Sequence, residues 1–437
     1  MFIRRFLGFL IPAVILCLLI GTTALAAVTI KTWDQPGTDP LSKITEIIQK
    51  GFEKLYPDIK VERTGIPGKP GEDRLAFTSA MAGGSGPDAY HAAHFPTIPV
   101  WIDQGFAMDI TEMYKAWPDS KSVLPAALQA AMKNGKIYGV PNSYYVMMLA
   151  YRRDLFKNAG LAGPPRNWNE LATFAQKLTD PRKNKYGYAI LGMDWASWYW
   201  ENFVWQAGGE VTEKLPDGKC KIRFTEEPAI KALQFYKDLK WKYKVVQSDV
   251  LQAYDANVRD LVQGTAAMYM LAIDQYPGLL SQGLKPEQIG FATLPAGPTG
   301  IKAAQVGGAY WIVNPALAKN KAKLDAVWKY VTYMSSKDTF LKTYELQADA
   351  GVLFPPKMPY FSGVNISKYF KEVPEDIAEE VNDSLAHGKM EYYFKDRIEP
   401  YLAKPIQAVL LDQKADPKAV LEECAKRVLQ DIPNTVR

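Results

Sequence analysis

Residues 28–64, VTIKTWDQPGTDPLSKITEIIQKGFEKLYPDIKVERT, read as strand, helix and strand in succession. Val28 to Trp33 is rich in β-formers, and Asp39-Pro40 supplies a helix start. Leu41, Ile44, Ile47, Ile48, Phe52 and Leu55 then recur at the spacing of one face of an amphipathic helix. Pro57-Asp58 breaks it, and Ile59 and Val61 resume an extended alternation that runs to Thr64. A helix between two strands returns the chain to its starting direction, so the strands are predicted to pair in parallel through a right-handed crossover.

The same alternation continues outward from this unit. A helix is expected over 72–82, stopped by Gly83-Gly84, then strands over 87–91, 136–140 and 146–152. Asn167 and Glu170 have capping-box spacing ahead of the next helix, and further helices are expected over 226–243, 322–335 and 417–429. Alternating βα units over most of 437 residues predict an α/β chain of two lobes, with ligand-bearing loops beyond the strand ends.

Hydrophobic residues at 48%, charged residues at 23% and aromatics at 12% are ordinary globular values, which excludes disorder, collagen and a disulfide scaffold. Arg4 and Arg5 precede an uncharged stretch from Phe6 to Ile30, with Ala24-Leu25-Ala26 near its end. Residues 1–26 are therefore expected to be a signal peptide cleaved after Ala26, with a retained anchor as the competing reading, and the protein to be periplasmic or extracellular. The balance of 52 basic against 47 acidic residues moves closer to neutral once Arg4 and Arg5 are removed, which argues against nucleic-acid binding. Arg182-Lys183-Asn184-Lys185, the densest basic run, lies between Pro181 and Gly187 and reads as a solvated turn. Whether Cys220 and Cys424 pair in an oxidising compartment is left open.

The segment from Trp195 to Trp205 holds six aromatics in eleven positions. A pyranose lays its axial C–H groups on a π face while its hydroxyls need directional acceptors, so sugar sites combine aromatic rings with carboxylates and amides. Trp198 or Trp200 suits such a platform. Trp198 and Trp205 also share a helix face, and a Trp stripe at that spacing is equally a core feature, so Trp205 is assigned to the core. Asp34 and Gln35 follow the first strand, where either could meet ligand hydroxyls or Asp34 simply order the Pro-Gly turn. Asp88 reads as a brace for a strand end. His91 and His94 lack a third ligand nearby, so no metal site is expected. Asp274, after an apolar strand, is either a cleft acceptor or a helix cap. Gly307-Gly308 permits close backbone approach, with Tyr310 or Trp311 as a wall. With three histidines, no nucleophile elbow and no phosphate-cradling loop, no catalytic residue and no cofactor are expected.

Several short pieces carry a resemblance by their order: Gly86-Pro87-Asp88, GKIYGVP from Gly135 to Pro141, YRRDLF from Tyr151 to Phe156, WNEL from Trp168 to Leu171, GTAAM from Gly264 to Met268, and Val306-Gly307-Gly308. Together, over nearly all of the chain beyond residue 26, they resemble the periplasmic or extracellular solute-binding proteins of ABC importers, in the maltose-binding-protein-like, sugar-binding group. The resemblance implies a type II periplasmic-binding-protein fold, with two α/β lobes joined by hinge strands around a ligand cleft. It implies lobe crossings near residues 143–146, 292–296 and 345–352. The N-terminal lobe would be 27–143 plus 293–346, and the C-terminal lobe 144–292 plus 347–437. It favours ligand contacts at His94, Tyr145 and Asp274, although tyrosine at 145 stands where maltose binders place another polar residue. The ligand-binding set is then Asp34, Gln35, His94, Tyr145, Trp198, Trp200, Asp274, Gly308 and Tyr310. The implied function is that of a monomeric substrate-binding subunit. It captures a sugar, oligosaccharide or sugar alcohol by hinge closure and delivers it to a membrane permease. The alternatives are a binder of polyamine or another small polar solute, a secreted glycoside-processing enzyme, and a sensory subunit.

Overall fold

The computed structural model describes residues 27–34, 41–66, 72–94, 97–129, 131–193, 195–351, 360–364, 374–433 and 436–437. The expected signal at 1–26 and the candidate Gln35 lie outside them. In chain order the strands that frame the molecule are β1 (Val28–Asp34), β2 (Ile59–Gly65), β3 (Ala89–His94), β4 (Val140–Pro141) and β5 (Tyr145–Arg152). They continue as β6 (Met268–Ala272), β7 (Ile289–Ala292), β8 (Ala304–Gly307), β9 (Ala309–Val313) and β10 (Gly388–Met390). One sheet has the order β2-β1-β3-β9-β4; the other has β6-β5-β8-β10, with β7 also on β5.

The opening unit folds as read. β1 and β2 are parallel from Val28↔Ile59 to Asp34↔Gly65, joined by helix α1 (Leu41–Leu55). The buried stripe of α1 is narrower than predicted: Ile44, Ile48 and Phe52 are covered, whereas Ile47 and Leu55 are 51% and 61% exposed. Only the i, i+4, i+8 row meets the sheet, and each fully buried side chain there contributes about 1.5–3 kcal/mol. Phe52 meets Tyr330 of helix Lys321–Met334 edge-on at 5.0 Å, which ties α1 to a helix far along the chain.

β5 is buried from Val146 to Arg152. It pairs antiparallel with β6, β7 and β8, and a strand covered on both faces reads as an unbroken apolar run rather than an alternation. The cap ahead of helix Trp168–Leu178 is as expected: the Glu170 amide donates to Asn167 Oδ1 at 2.9 Å and Asn167 Nδ2 donates to Glu170 Oε1 at 3.0 Å. The strand expected at 136–140 splits instead. Lys136–Ile137 pairs with Met132–Lys133, while β4 pairs with β9.

The chain changes sheets between β4 and β5. The second change differs from expectation: it falls at Gly308, between β8 and β9, and not near 292–296. Residues after β7 stay with the second sheet, because the Ala296 amide donates to Arg166 O and the Trp168 amide donates to Ala296 O. The two crossing segments run side by side. Asn142 and Ser143 amides both donate to Ala309 O, at 2.8 and 3.3 Å, and the Ala309 amide donates to Ser143 Oγ at 2.9 Å. A Cβ on Gly308 would lie 2.0 Å from Ser143 O, so only glycine allows this approach. The third crossing is also later than 345–352. The Leu124 amide still donates to Tyr360 O within the first half, and among the described residues after it helix Glu375–Ala386 packs on β5 and β7.

Cys220 and Cys424 are separate, buried free thiols. Among the described residues no helix is long and apolar enough to cross a membrane.

Candidate functional site

Where β5 begins and β6 ends, the second sheet presents a polar and aromatic surface. Tyr145, the first residue of β5, is half-buried, and its hydroxyl donates to Glu391 Oε1 at 3.1 Å. Burial, then the Glu391 charge, holds this phenol well above its ordinary pKa, so it remains a neutral donor. Asp274 adds to the same effect, which places it in the same field. It sits in the turn Ile273–Gln275 directly after β6 and accepts from Gln275 Nε2 at 3.3 Å. Burial pushes its carboxyl up to about 6.

Trp198 comes from helix Ala196–Gln206 and is one of the few residues of that helix not fully buried. Its ring lies 6.3 Å from that of Tyr145 and beneath the Lys395 ammonium, 5.4 Å from the ring centre. Lys395 in turn pairs with Glu391 Oε2 at 2.8 Å, both side chains being nearly buried. Burial disfavours that ammonium, but Glu391, Glu399 and Glu201 outweigh it and raise the Lys395 pKa. The aromatic face is therefore bordered by one cation and several acceptors.

Below this surface lies a buried network in which the Gln305 Oε1 atom alone is left without a hydrogen bond. Gln305 Nε2 donates to Glu201 Oε1 at 2.5 Å, the Tyr392 amide donates to Glu201 Oε2 at 3.1 Å, and the Gln305 amide donates to Asn202 Oδ1 at 2.8 Å. Burial, then Glu391, lifts the Glu201 carboxyl well above the usual range. Glu201 acts here as a bracket holding helix, β8 and the segment after β10 in register.

Of the residues predicted from sequence, Tyr145, Trp198 and Asp274 come together. Trp200 and Tyr310 are both 0% exposed and belong to the core; the Tyr310 hydroxyl donates to Ala127 O at 2.7 Å. Trp200, two positions on, lies about 200° round the helix from Trp198, and that difference is invisible without knowing where the sheet lies. Asp34 is also buried, and Arg63 Nε donates to its Oδ2 at 2.5 Å, so it serves the β1–β2 pair. Gly308 is the sheet-crossing residue. The His94 backbone pairs with Ala309. Asp88 braces strand ends, accepting from the Lys31 amide at 2.7 Å and pairing with Lys323 at 2.9 Å. Trp205 is core, as assigned. Among the described residues no group of three His, Cys, Asp or Glu side chains is disposed to hold a metal.

Sequence reasoning missed Glu391 and Lys395, whose signal was a Glu and Lys at i, i+4 flanking Tyr392-Tyr393-Phe394. It also passed over Trp195, the most exposed aromatic of its run at 40%. Trp195 caps the helix with φ of 64°, a left-handed conformation that bulky residues rarely hold, and meets Tyr254 edge-on at 5.7 Å.

Residues 35–339 match the family described as bacterial extracellular solute-binding protein. A binding protein of Brucella abortus is 28% identical over 218 residues, 48% of this chain and 49% of its own length. The chain thus spans about half the length of the first curated relatives it matches. An ABC transporter-binding protein of Deinococcus radiodurans is 30% identical over 306 residues, 65% of this chain and 70% of its own. Among solved structures, an ABC transporter solute-binding protein of Thermotoga lettingae bound with α-D-tagatose superposes with a TM-score of 0.72 at 23% identity. It covers 92% of this chain and 99% of its own. The two sheets and their crossings are those of the type II periplasmic-binding-protein fold.

Proposed function

The chain belongs to the bacterial extracellular solute-binding proteins, and from that premise we propose that it captures a carbohydrate between its two halves and delivers it to the membrane permease of an ABC importer. One observation carries the carbohydrate reading. Trp198 is partly exposed, its ring 6.3 Å from that of Tyr145, whose hydroxyl donates to Glu391 and lies in the field of Asp274. An apolar face bordered by fixed acceptors is what a ring with axial C–H groups and equatorial hydroxyls requires.

The halves follow the sheets, turning about residues 142–144 and 307–309. Closure is driven by ligand contacts made only when both halves touch the guest, since equal affinity for both arrangements shifts no population. Moving the balance from 1:99 to 99:1 takes about 5.5 kcal/mol of differential binding, within reach of one stacked ring and a few charge-assisted hydrogen bonds. Glu391 is committed to Lys395 and Glu201 is enclosed, so the carboxylates near the platform act as acceptors and not as a hydrolytic acid and base. The protein works outside the cytoplasm, as a monomer.

Calorimetric titration of the purified chain with a saccharide and polyol panel tests this. The expected result is one-to-one binding with a rise in melting temperature and no product. Turnover of a glycoside, or silence across the whole panel, overturns the reading.

A further inference from the structure

A second groove, of about 970 Å³, opens where the two halves face one another. Asp103, Lys133 and Asn134 line it from the first half, and Lys214, Lys219 and Tyr393 from the second. Asp103 ends helix Thr97–Asp103. Lys133 precedes a tight turn in which Asn134 and Gly135 both hold positive φ. Lys214 ends the strand Thr212–Lys214.

The charges do not balance. Asp103 offers one oxygen to Lys133 and the other to Lys214, at 3.6 Å, so two ammoniums from opposite halves share one carboxylate. Asp217 is already engaged by Arg437 at 2.8 Å and by the Lys219 amide at 3.1 Å. Lys219 has no ion-pair partner among the described residues. Lys214 also rests over the Tyr393 ring, 5.1 Å from its centre. Burial lowers the pKa of both Lys133 and Lys214; the nearby Lys214 charge lowers Lys133 further, whereas Lys133 partly offsets the lowering of Lys214.

We propose that this groove is an anion subsite that takes a carboxylate or phosphate carried by the sugar ligand, so that the preferred guest is an acidic saccharide. This rests on the carbohydrate reading above and narrows it. An oxyanion set between Lys133 and Lys214 relieves their repulsion and accepts charge-assisted hydrogen bonds from both. The Asn134 amide and the Tyr393 face border the remainder of the ring. Because the two lysines belong to different halves, this interaction exists only when the halves are together, and it adds directly to the drive for closure.

The test compares matched ligands on the full chain at low ionic strength: galactose with galacturonate, galactobiose with digalacturonate, and galactose with galactose 6-phosphate, with inorganic phosphate alone as a further arm. The acidic member of at least one pair is expected to bind at least tenfold more tightly. That ratio should fall toward 1 in the Lys133→Met, Lys214→Met double variant. In the unsubstituted protein it should also collapse between about 20 and 500 mM salt, a readout independent of whether the variant folds. Carboxylate and phosphate pairs separate the two sources of charge. Neutral members binding as well as acidic ones, or a ratio that survives both the double substitution and high salt, overturns the subsite while leaving the carbohydrate reading intact. Binding of spermidine in place of every saccharide, or of nothing at all, overturns both.

Discussion

Gly308→Ala probes the hinge directly. A methyl carbon at this position would meet Ser143 O at 2.0 Å, Ser143 C at 3.0 Å and Tyr144 Cα at 3.4 Å. Favourable contacts lie near 3.5–4.0 Å, so the crossing segments must part by roughly 1.5 Å. Of the hydrogen bonds from Asn142, Ser143 and Ala309 that join them, which begin at 2.8 to 3.3 Å, the two accepted by Ala309 O do not survive that displacement. Losing two of them at about 1 kcal/mol each, with about 1–3 kcal/mol of overpacking, gives a destabilisation of about 4 kcal/mol. At about 2–4 °C per kcal/mol the melting temperature should fall by about 8–16 °C. Differential scanning calorimetry reads this against Gly163→Ala, where nothing lies within 4 Å of the added carbon and little change is expected. Small-angle scattering with and without ligand should show a weakened contraction in the Gly308 variant. If it melts within 2 °C of the control and contracts normally, the tight pairing of the two crossing segments is refuted.

Trp198→Ala should reduce carbohydrate affinity by at least about tenfold in calorimetry while moving the melting temperature little, since the ring is partly open. Trp200→Ala should do the reverse, removing about 3–5 kcal/mol of stability from the core. Asp274, with its carboxyl pushed up to about 6, is protonated in the folded state over a range where the unfolded chain is ionised. Its contribution to stability is therefore complete below pH 4 and lost as pH rises through about 6; Asp274→Asn should flatten this decline in pH-dependent unfolding curves. Glu201→Gln, replacing the carboxyl by an amide of the same shape that keeps an acceptor in the bracket, should leave the melting temperature within about 2 °C. Glu201→Ala, which strands the Gln305 amide and the Tyr392 N–H, should cost about 2–4 kcal/mol. Equal melting temperatures for these two variants would contradict the bracket role.

The first βαβ unit and several of the longer helices were legible because their signals are local: a period of 3.6 in α1, a cap at Asn167, a break at Pro57. The second crossing was not. Phe291 to Pro295 has the composition of a strand and a turn whichever half it serves, and only its pairing with residues near Arg166 decides. Trp198 stood out by aromatic density, but nothing local distinguishes its exposure from the burial of Trp200 two positions on. Glu391 meets Tyr145 across 246 positions of sequence, an encounter that depends on β10 lying beside β8. Asp34 looked available because its partner, Arg63, lies on the neighbouring strand opposite Thr32 and reaches it diagonally only once the parallel register is set.

Strand β9 sits between β3 and β4, yet it follows β3 by more than two hundred positions. A ribosome adding about 5–20 residues per second needs about 11–43 s to travel from His94 to Ala309. Throughout that interval β3 lacks the neighbour on its inner edge, and the β2-β1-β3 unit remains available to chaperones or to a translocation channel. The interleaved strand order thus acts as a timer: the nascent chain stays threadable until most of it has been made, and the earliest part of the protein to be synthesised is among the last to become finished structure.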